Sequence, residues 1–266
     1  MASPFTISSR SLVALLIAFL WSAPLLRGGA QAPQSDQKVQ RVPVLVELFT
    51  SEGCSDCPPA DALLAELDAK QFVPGAESIV LSEHVTYWNH LGWRDPFSLD
   101  AMTQRQEEYV RRFGLDSSYT PQMVVDGAIQ FVGSDGRALV AAVGKASRTP
   151  KVSLAIEGAR WDRGTVRFAV RGEKANGAKL IVVLAADATH SEVARGENAG
   201  RTLHHTAAVR AIKVFSSDVA DGRPLELQGG PLAQANEANG PVRLIAFEAD
   251  GGNGRVRAAA EQVLSR

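Results

Sequence analysis

The spacing of apolar and polar positions divides the chain into two textures that meet near Pro150. In the first, "VPVLVELFT" (residues 42–50) is the largely apolar, β-rich run that a strand buried on both faces requires. In "PPADALLAELDAK" (58–70), Ala60, Leu63, Leu64 and Leu67 fall at i, i+3, i+4 and i+7, which places them on one helix face. Pro58 and Pro59 suit its first turn, where a missing N–H costs nothing. "ESIVLSEHV" (77–85) reads as a second strand. Met102, Tyr109, Val110 and Phe113 predict a helix over 98–113, with Ser98 or Asp100 as cap and Gly114 as terminator. Two short apolar runs meet at Asp126-Gly127, a hairpin signal, and residues 134–146 close the series as a helix. The predicted order is βαβαββα, a mixed central sheet covered on both faces.

Beyond Pro150 the strand-like runs "KVSLAIEGA", "TVRFAVRG", "KLIVVLAAD", "HTAAVRAIKVF" and "PVRLIAFEA" are divided by Gly, Asn and Asp turns. Apolar residues alternate at period 2 in the first two, as in half-buried antiparallel strands. The expectation is a boundary near 150 between a domain at 41–150 and a β-rich, sandwich-like domain at 151–266.

Composition adds compartment rather than fold. Residues 1–30 carry Arg10, then an apolar run from Leu12 to Trp21, then small residues, the layout of a signal peptide cleaved after Ala30. That run is too short for a permanent span, and the polar stretch 31–40 reads as a disordered linker. The implied location is periplasmic or secreted. A net charge of −1 with 45% apolar residues gives no footprint for nucleic acid. Disulfide-stapled scaffolds in an oxidising compartment carry many half-cystines, whereas this chain has two cysteines, both in "GCSDCPPAD".

A Cys-x-x-Cys where a buried strand meets a helix sets up thiol–disulfide exchange, because the helix N-terminus stabilises a thiolate. Cys54 is expected to be the exposed nucleophile and Cys57, within the helix, the buried resolving thiol. Glu52 and Asp56 would tune the pair. Asp56 opposes the helix dipole and disfavours a Cys54 thiolate, so a reducing couple is expected. In "YTPQMVVDG", Pro121 at the start of a strand, preceded by a cis bond, would bring the backbone of Thr120 against the sulfurs and shape a docking groove. No nicotinamide, flavin or nucleotide fingerprint is present, so the disulfide would be its own redox centre, without a cofactor, and its partner a thiol- or disulfide-bearing protein. Two other readings stay open. One is a fixed structural disulfide; the other is a Cu(I) or Zn site built from Cys54, Cys57, His84 and His90.

The ordered set of strand, Cys-x-x-Cys, helix and Thr-Pro before a hairpin resembles the thioredoxin fold. The fold class is therefore α/β, a thioredoxin-like domain followed by a mainly antiparallel β domain. "ELFTSEGCSDCPPAD", "HVTYWNHLGWRDPF", "YTPQMVVDG" and "RGENAGRTLHH" further resemble a family of secreted bacterial proteins catalogued as domain of unknown function 1223. The family pattern has Asp where this chain has Thr86 and Asn89, and Ser at Asp56. Tyr87, Trp88, Trp93 and Phe97 would either rim a substrate site or roof the sheet. "RGENAGRTLHH", with Glu197, Asn198, Arg201, His204 and His205, is either a plain hairpin loop or a loop that reaches over the Cys site.

Overall fold

Strand β1 (Val42–Thr50) is followed by α1 (Pro58–Lys70), β2 (Ala76–His84), α2 (Asp100–Phe113), β3 (Gln122–Val125), β4 (Ile129–Val132) and α3 (Gly136–Ala146). Strands β5 (Leu154–Asp162), β6 (Thr165–Gly172), β7 (Lys179–Glu192), β8 (Thr202–Ser216), β9 (Asp221–Gln228), β10 (Val242–Ala249) and β11 (Val256–Leu264) complete the chain. This computed structural model describes residues 41–173, 177–233 and 240–265, so the expected signal peptide and linker lie outside the described residues.

The first half forms as its periodicities require. Val46 and Leu48 of β1 pack with Leu64 and Leu67 of α1 and Leu139 and Val143 of α3. Phe49 points the other way, toward Tyr109 of α2 and Val124 of β3. Asp126 and Gly127 take φ of 50° and 61° in the β3–β4 connection, the left-handed conformations that made Asp-Gly a turn signal. Gly114 ends α2 at φ 65°.

The division at residue 150 is corrected by the sheet. Eight strands run β11-β10-β7-β8-β2-β1-β3-β4 without a break, so four strands from beyond 150 extend the sheet begun by β1 and β2. All described residues belong to one compact unit. The join is a parallel pairing of β2 with β8 at Ser82 and Ala208, and β1 and β2 are also parallel, whereas the other neighbours are antiparallel. The result is a mixed α/β fold dominated by a large, mostly antiparallel sheet. A sandwich-like layer exists, but it shares that sheet: β5, β6 and β9 form a three-stranded sheet whose Val166, Phe168 and Val170 pack on Leu180, Val182 and Leu244. Among the described residues no helix is long and apolar enough to cross a membrane.

Buried charge fixes α2 to the sheet. Tyr109 donates to Glu47 at 2.6 Å, and Arg105 reaches both Glu47 and, at 3.4 Å, Glu83. Burial, with the like charge of Glu47, holds the Glu83 carboxyl well above the usual carboxylate range, so the pair shares one cation without two unscreened negative charges.

Three elements around the cysteines converge on Gly133. A Cβ there would stand 2.8 Å from Leu48 Cδ1, 3.0 Å from Pro121 Cβ and 3.2 Å from Ala60 Cβ. Gly133→Ala is expected to cost about 1–3 kcal/mol by overpacking, read as a lower urea midpoint with an unchanged slope.

Candidate functional site

The Cys54–Cys57 disulfide sits in the turn between β1 and α1, its Cα atoms 5.5 Å apart. The turn is made by the backbone, with Cys54 N–H donating to Ser51 O at 3.1 Å and Cys57 N–H to Cys54 O at 3.3 Å. Cys57 is the N-cap of α1 rather than a residue inside it. Helix N-termini normally offer free N–H groups, but here the first two helical residues are prolines and have none. The next two, Ala60 and Asp61, already donate to Cys57 O at 2.8 and 3.1 Å. A thiolate at this end would meet the helix dipole without hydrogen-bond donors from the first turn of α1.

The expected exposure of Cys54 is overturned: it is 1% exposed and Cys57 is 0% exposed, although Ser55 and Asp56 between them lie at the surface. The cover comes from the β7–β8 connection. Asn198 Nδ2 donates to Glu52 O and to Cys54 O, both at 2.9 Å, and Ser55 N–H donates to Glu197 Oε2 at 3.2 Å. The "RGENAG" segment is therefore both a hairpin loop and a strap over the cysteines. Trp88 and Trp93 wall the same place. Trp88 donates to Thr120 Oγ1 at 2.8 Å and Trp93 to Glu52 Oε2 at 2.7 Å, while Phe97 is buried and Tyr87 bonds Gln106.

Thr120 and Pro121 lie beside the disulfide. Their peptide bond is cis, and Thr120 O lies 3.9 Å from Cys54 Sγ.

Behind the strap lies an ionisable network of which the sequence singles out Glu52, His84 and His205 but not Asp61 or Asp95. The Glu52 carboxylate accepts from Trp93, from Ser191 and from His205 Nε2 at 3.1 Å. His205 Nδ1 faces Asp61 Oδ1 at 3.9 Å, and neither atom has a hydrogen-bond partner. Burial opposes charge on His205, but the nearby Asp61 carboxylate and the hydrogen bond and charge of Glu52 prevail and raise its pKa to about 10. His84 packs edge-on against His205 and bonds Asp95 at 2.7 Å and Ser82 at 3.2 Å. For Asp95, burial is outweighed by the charge and hydrogen bond of His84 and by two backbone N–H groups, which lower it to about 2. Asp56, in contrast, is exposed, so water screens its charge and weakens the expected tuning.

The four residues considered for Cu(I) or Zn are not assembled as a ligand set. Both nitrogens of His84 are committed, His90 is exposed, and among the described residues no group of three or more His, Cys, Asp or Glu is arranged to hold a metal ion.

Residues 45–242 match the family described as "Protein of unknown function (DUF1223)". The chain belongs to that family. No curated protein matches it. The DUF1223 chain is similar in fold to an X-ray crystal structure of a protein from Agrobacterium tumefaciens, at 23% identity and a TM-score of 0.60, over 84% of this chain and 94% of that one. The matched segment holds every element of the cysteine site, from β1 through the strap, and ends as β10 begins.

The two perturbed groups give this DUF1223 member a stability profile with two arms. His205 holds its proton more tightly folded than unfolded, so its contribution is complete below about pH 6.5 and vanishes as pH rises through about 10. Asp95 is more acidic when folded, so its contribution is complete above the unfolded value of 3.8 and is lost as pH falls toward 2. Unfolding free energy measured across that range should show both arms. His205→Gln should remove the alkaline arm and Asp95→Asn the acid arm, each costing about 3 kcal/mol near neutrality as a broken buried pair.

Proposed function

We propose that this chain is an exported thiol–disulfide oxidoreductase whose Cys54–Cys57 pair works behind an opening strap, on a thioredoxin-like unit formed by β1 to α3. The observation that carries the reading is the approach of Thr120 O to within 3.9 Å of Cys54 Sγ, at the junction of β1 and α1. It joins the redox-capable pair to the backbone just ahead of β3. The strand order β2-β1-β3-β4, with β1 and β2 parallel and β3 and β4 antiparallel to their neighbours, supports the thioredoxin-like assignment.

In the reaction a dithiol partner protein approaches once the strap lifts. A partner thiolate attacks Cys54 Sγ, the S–S bond breaks, and its electron pair leaves on Cys57 Sγ, which takes a proton. The second partner thiol, losing its proton, then displaces Cys54 from the mixed disulfide, and the partner leaves oxidised. Two electrons and two protons pass to the pair, and a disulfide-bearing client takes them up by the same two exchanges in reverse: Cys54 as thiolate attacks the client disulfide, Cys57 resolves the mixed disulfide, and the client leaves as a dithiol. The network of Glu52, His205 and Asp61 is a set of buried groups able to give and take such protons. With no N–H donors from the first turn of α1, a thiolate here is poorly stabilised, so the couple is reducing, nearer the roughly −270 mV of thioredoxin than the roughly −120 mV of a strong oxidant.

A second reading, a fixed crosslink, is favoured by the 1% exposure of Cys54. Catalysed reduction of a test peptide disulfide separates the two. The exchange reading expects turnover that falls at least ~100-fold in Cys54→Ser, and a rate of disulfide opening by dithiol that rises about thirtyfold in Asn198→Ala, which removes two strap hydrogen bonds worth about 2 kcal/mol together. A disulfide that resists native-state dithiol in both parent and Asn198→Ala would make it a staple.

A further inference from the structure

The ribbon that carries the strap has two faces with different chemistry. In the β7–β8 ladder, Thr189 pairs with His205 and Ser191 with Leu203, and these side chains turn inward, where Ser191 and His205 hold Glu52. The alternate positions turn outward, and there His190 stands directly opposite His204, one step from Glu192 opposite Thr202. Directly opposed residues of an antiparallel pair have Cβ atoms about 4.5–5.5 Å apart, close enough for side chains to act together.

The two imidazoles do so. Their ring centroids are 5.8 Å apart with planes 31° from parallel. Both residues are exposed, and neither ring has a hydrogen-bond partner among the described residues, so nothing committed must be broken to turn them. Imidazole nitrogen suits borderline cations such as Zn2+, Ni2+ and Cu2+, with Zn–N distances of about 2.0–2.1 Å. Modest side-chain rotation from the observed separation lets both rings reach one ion. Water completes the coordination.

We propose that His190 and His204 form a two-imidazole site for a borderline divalent cation, and that an ion held there braces the β7–β8 ribbon with its strap closed over the disulfide. The first half stands on the outward face alone; the second rests on the reading of the strap as a gate. A cross-strand ion ties β7 to β8 a few residues from Asn198 and directly behind the two side chains that hold Glu52. The charged and titratable groups on this stretch of ribbon are Glu192 outward and His205 inward, with Glu52 and Asp61 against the inner face. Because ligating imidazoles must be neutral, protons compete with the ion for the same ring nitrogens.

The test uses the oxidised full chain, whose cysteines cannot ligate. Calorimetric titration with ZnCl2 at pH 7.5 should show one equivalent bound, weakened at least tenfold at pH 5.5 and at least tenfold in His190→Gln and in His204→Gln. These exposed substitutions should leave the urea midpoint unchanged. Absent binding, or binding unchanged in both variants, overturns the site. Amide hydrogen exchange over residues 193–201 should slow at least threefold with Zn2+ in the parent and not in the double variant. Binding without that slowing leaves the site standing and overturns its closing role. Neither readout needs turnover, so failure of the redox reading and failure of this site are seen separately.

Discussion

One carboxamide organises the cysteine turn and what surrounds it. The turn from β1 into α1 leaves the Glu52 carbonyl without a backbone partner and gives that of Cys54 only the Cys57 N–H at 3.3 Å, and both residues are buried. A buried carbonyl left unpaired costs about 1–3 kcal/mol. Asn198 spends its two N–H groups on these two oxygens, while its own oxygen accepts from Arg201 at 3.1 Å. The bonds span 146 and 144 residues of sequence, so the turn is satisfied only when β7 and β8 have joined the sheet begun by β1 and β2. Cover for the disulfide, enclosure of Glu52 and the ordering of the strap all follow from that one side chain.

What the strap encloses is charge rather than apolar surface. Glu52 receives one donor from the aromatic loop, Trp93, and two from the ribbon, Ser191 and His205. In the low dielectric beneath the strap a lone carboxylate would be costly, and a cationic His205 offsets it. Asp61, one turn into α1 from Cys57, draws the same histidine from the helix side. The cysteine turn is thus held between two carboxylates that share one cation. Because Pro58 and Pro59 remove the first-turn donors, the local field favours the uncharged disulfide over a thiolate.

The legible parts of the fold were those decided by local pattern. Strand β1 falls on the expected 42–50, the Asp-Gly turn carries its positive φ values, and Gly114 ends α2. The boundary at 150 misled because periodicity reports how many faces of a strand are buried, not which strand lies beside it. Strand β2 reads as doubly buried whether its neighbour comes from the next helix or, as here, from β8. Glu47 and Glu83 gave no warning of burial, since their neutralisation depends on Arg105 reaching across from α2. The exposure of Cys54 was misjudged for the same reason: the local logic of a cysteine at a helix start contains no term for Asn198. The segment holding Asn198 stood out by its Gly-bounded polar residues, but its destination was a long-range fact.

The cover is shallow compared with the core beneath it, and that difference bears on how a buried disulfide can still react. Within residues 193–201 Val193 and Asn198 are the buried positions, and the rest face solvent. Lifting the strap exposes little apolar surface and exchanges three hydrogen bonds, two from Asn198 and one to Glu197, for bonds to water. At a net value of about 1 kcal/mol each, opening costs about 3 kcal/mol, an open fraction of roughly one in a hundred or somewhat less. The cores that hold β1 and α1 open only with the whole fold, at a far larger cost. A closed disulfide over a rigid base, reached through a small and separate opening, exchanges at the intrinsic rate multiplied by the open fraction. Its burial in the closed state therefore sets a rate rather than forbidding the reaction.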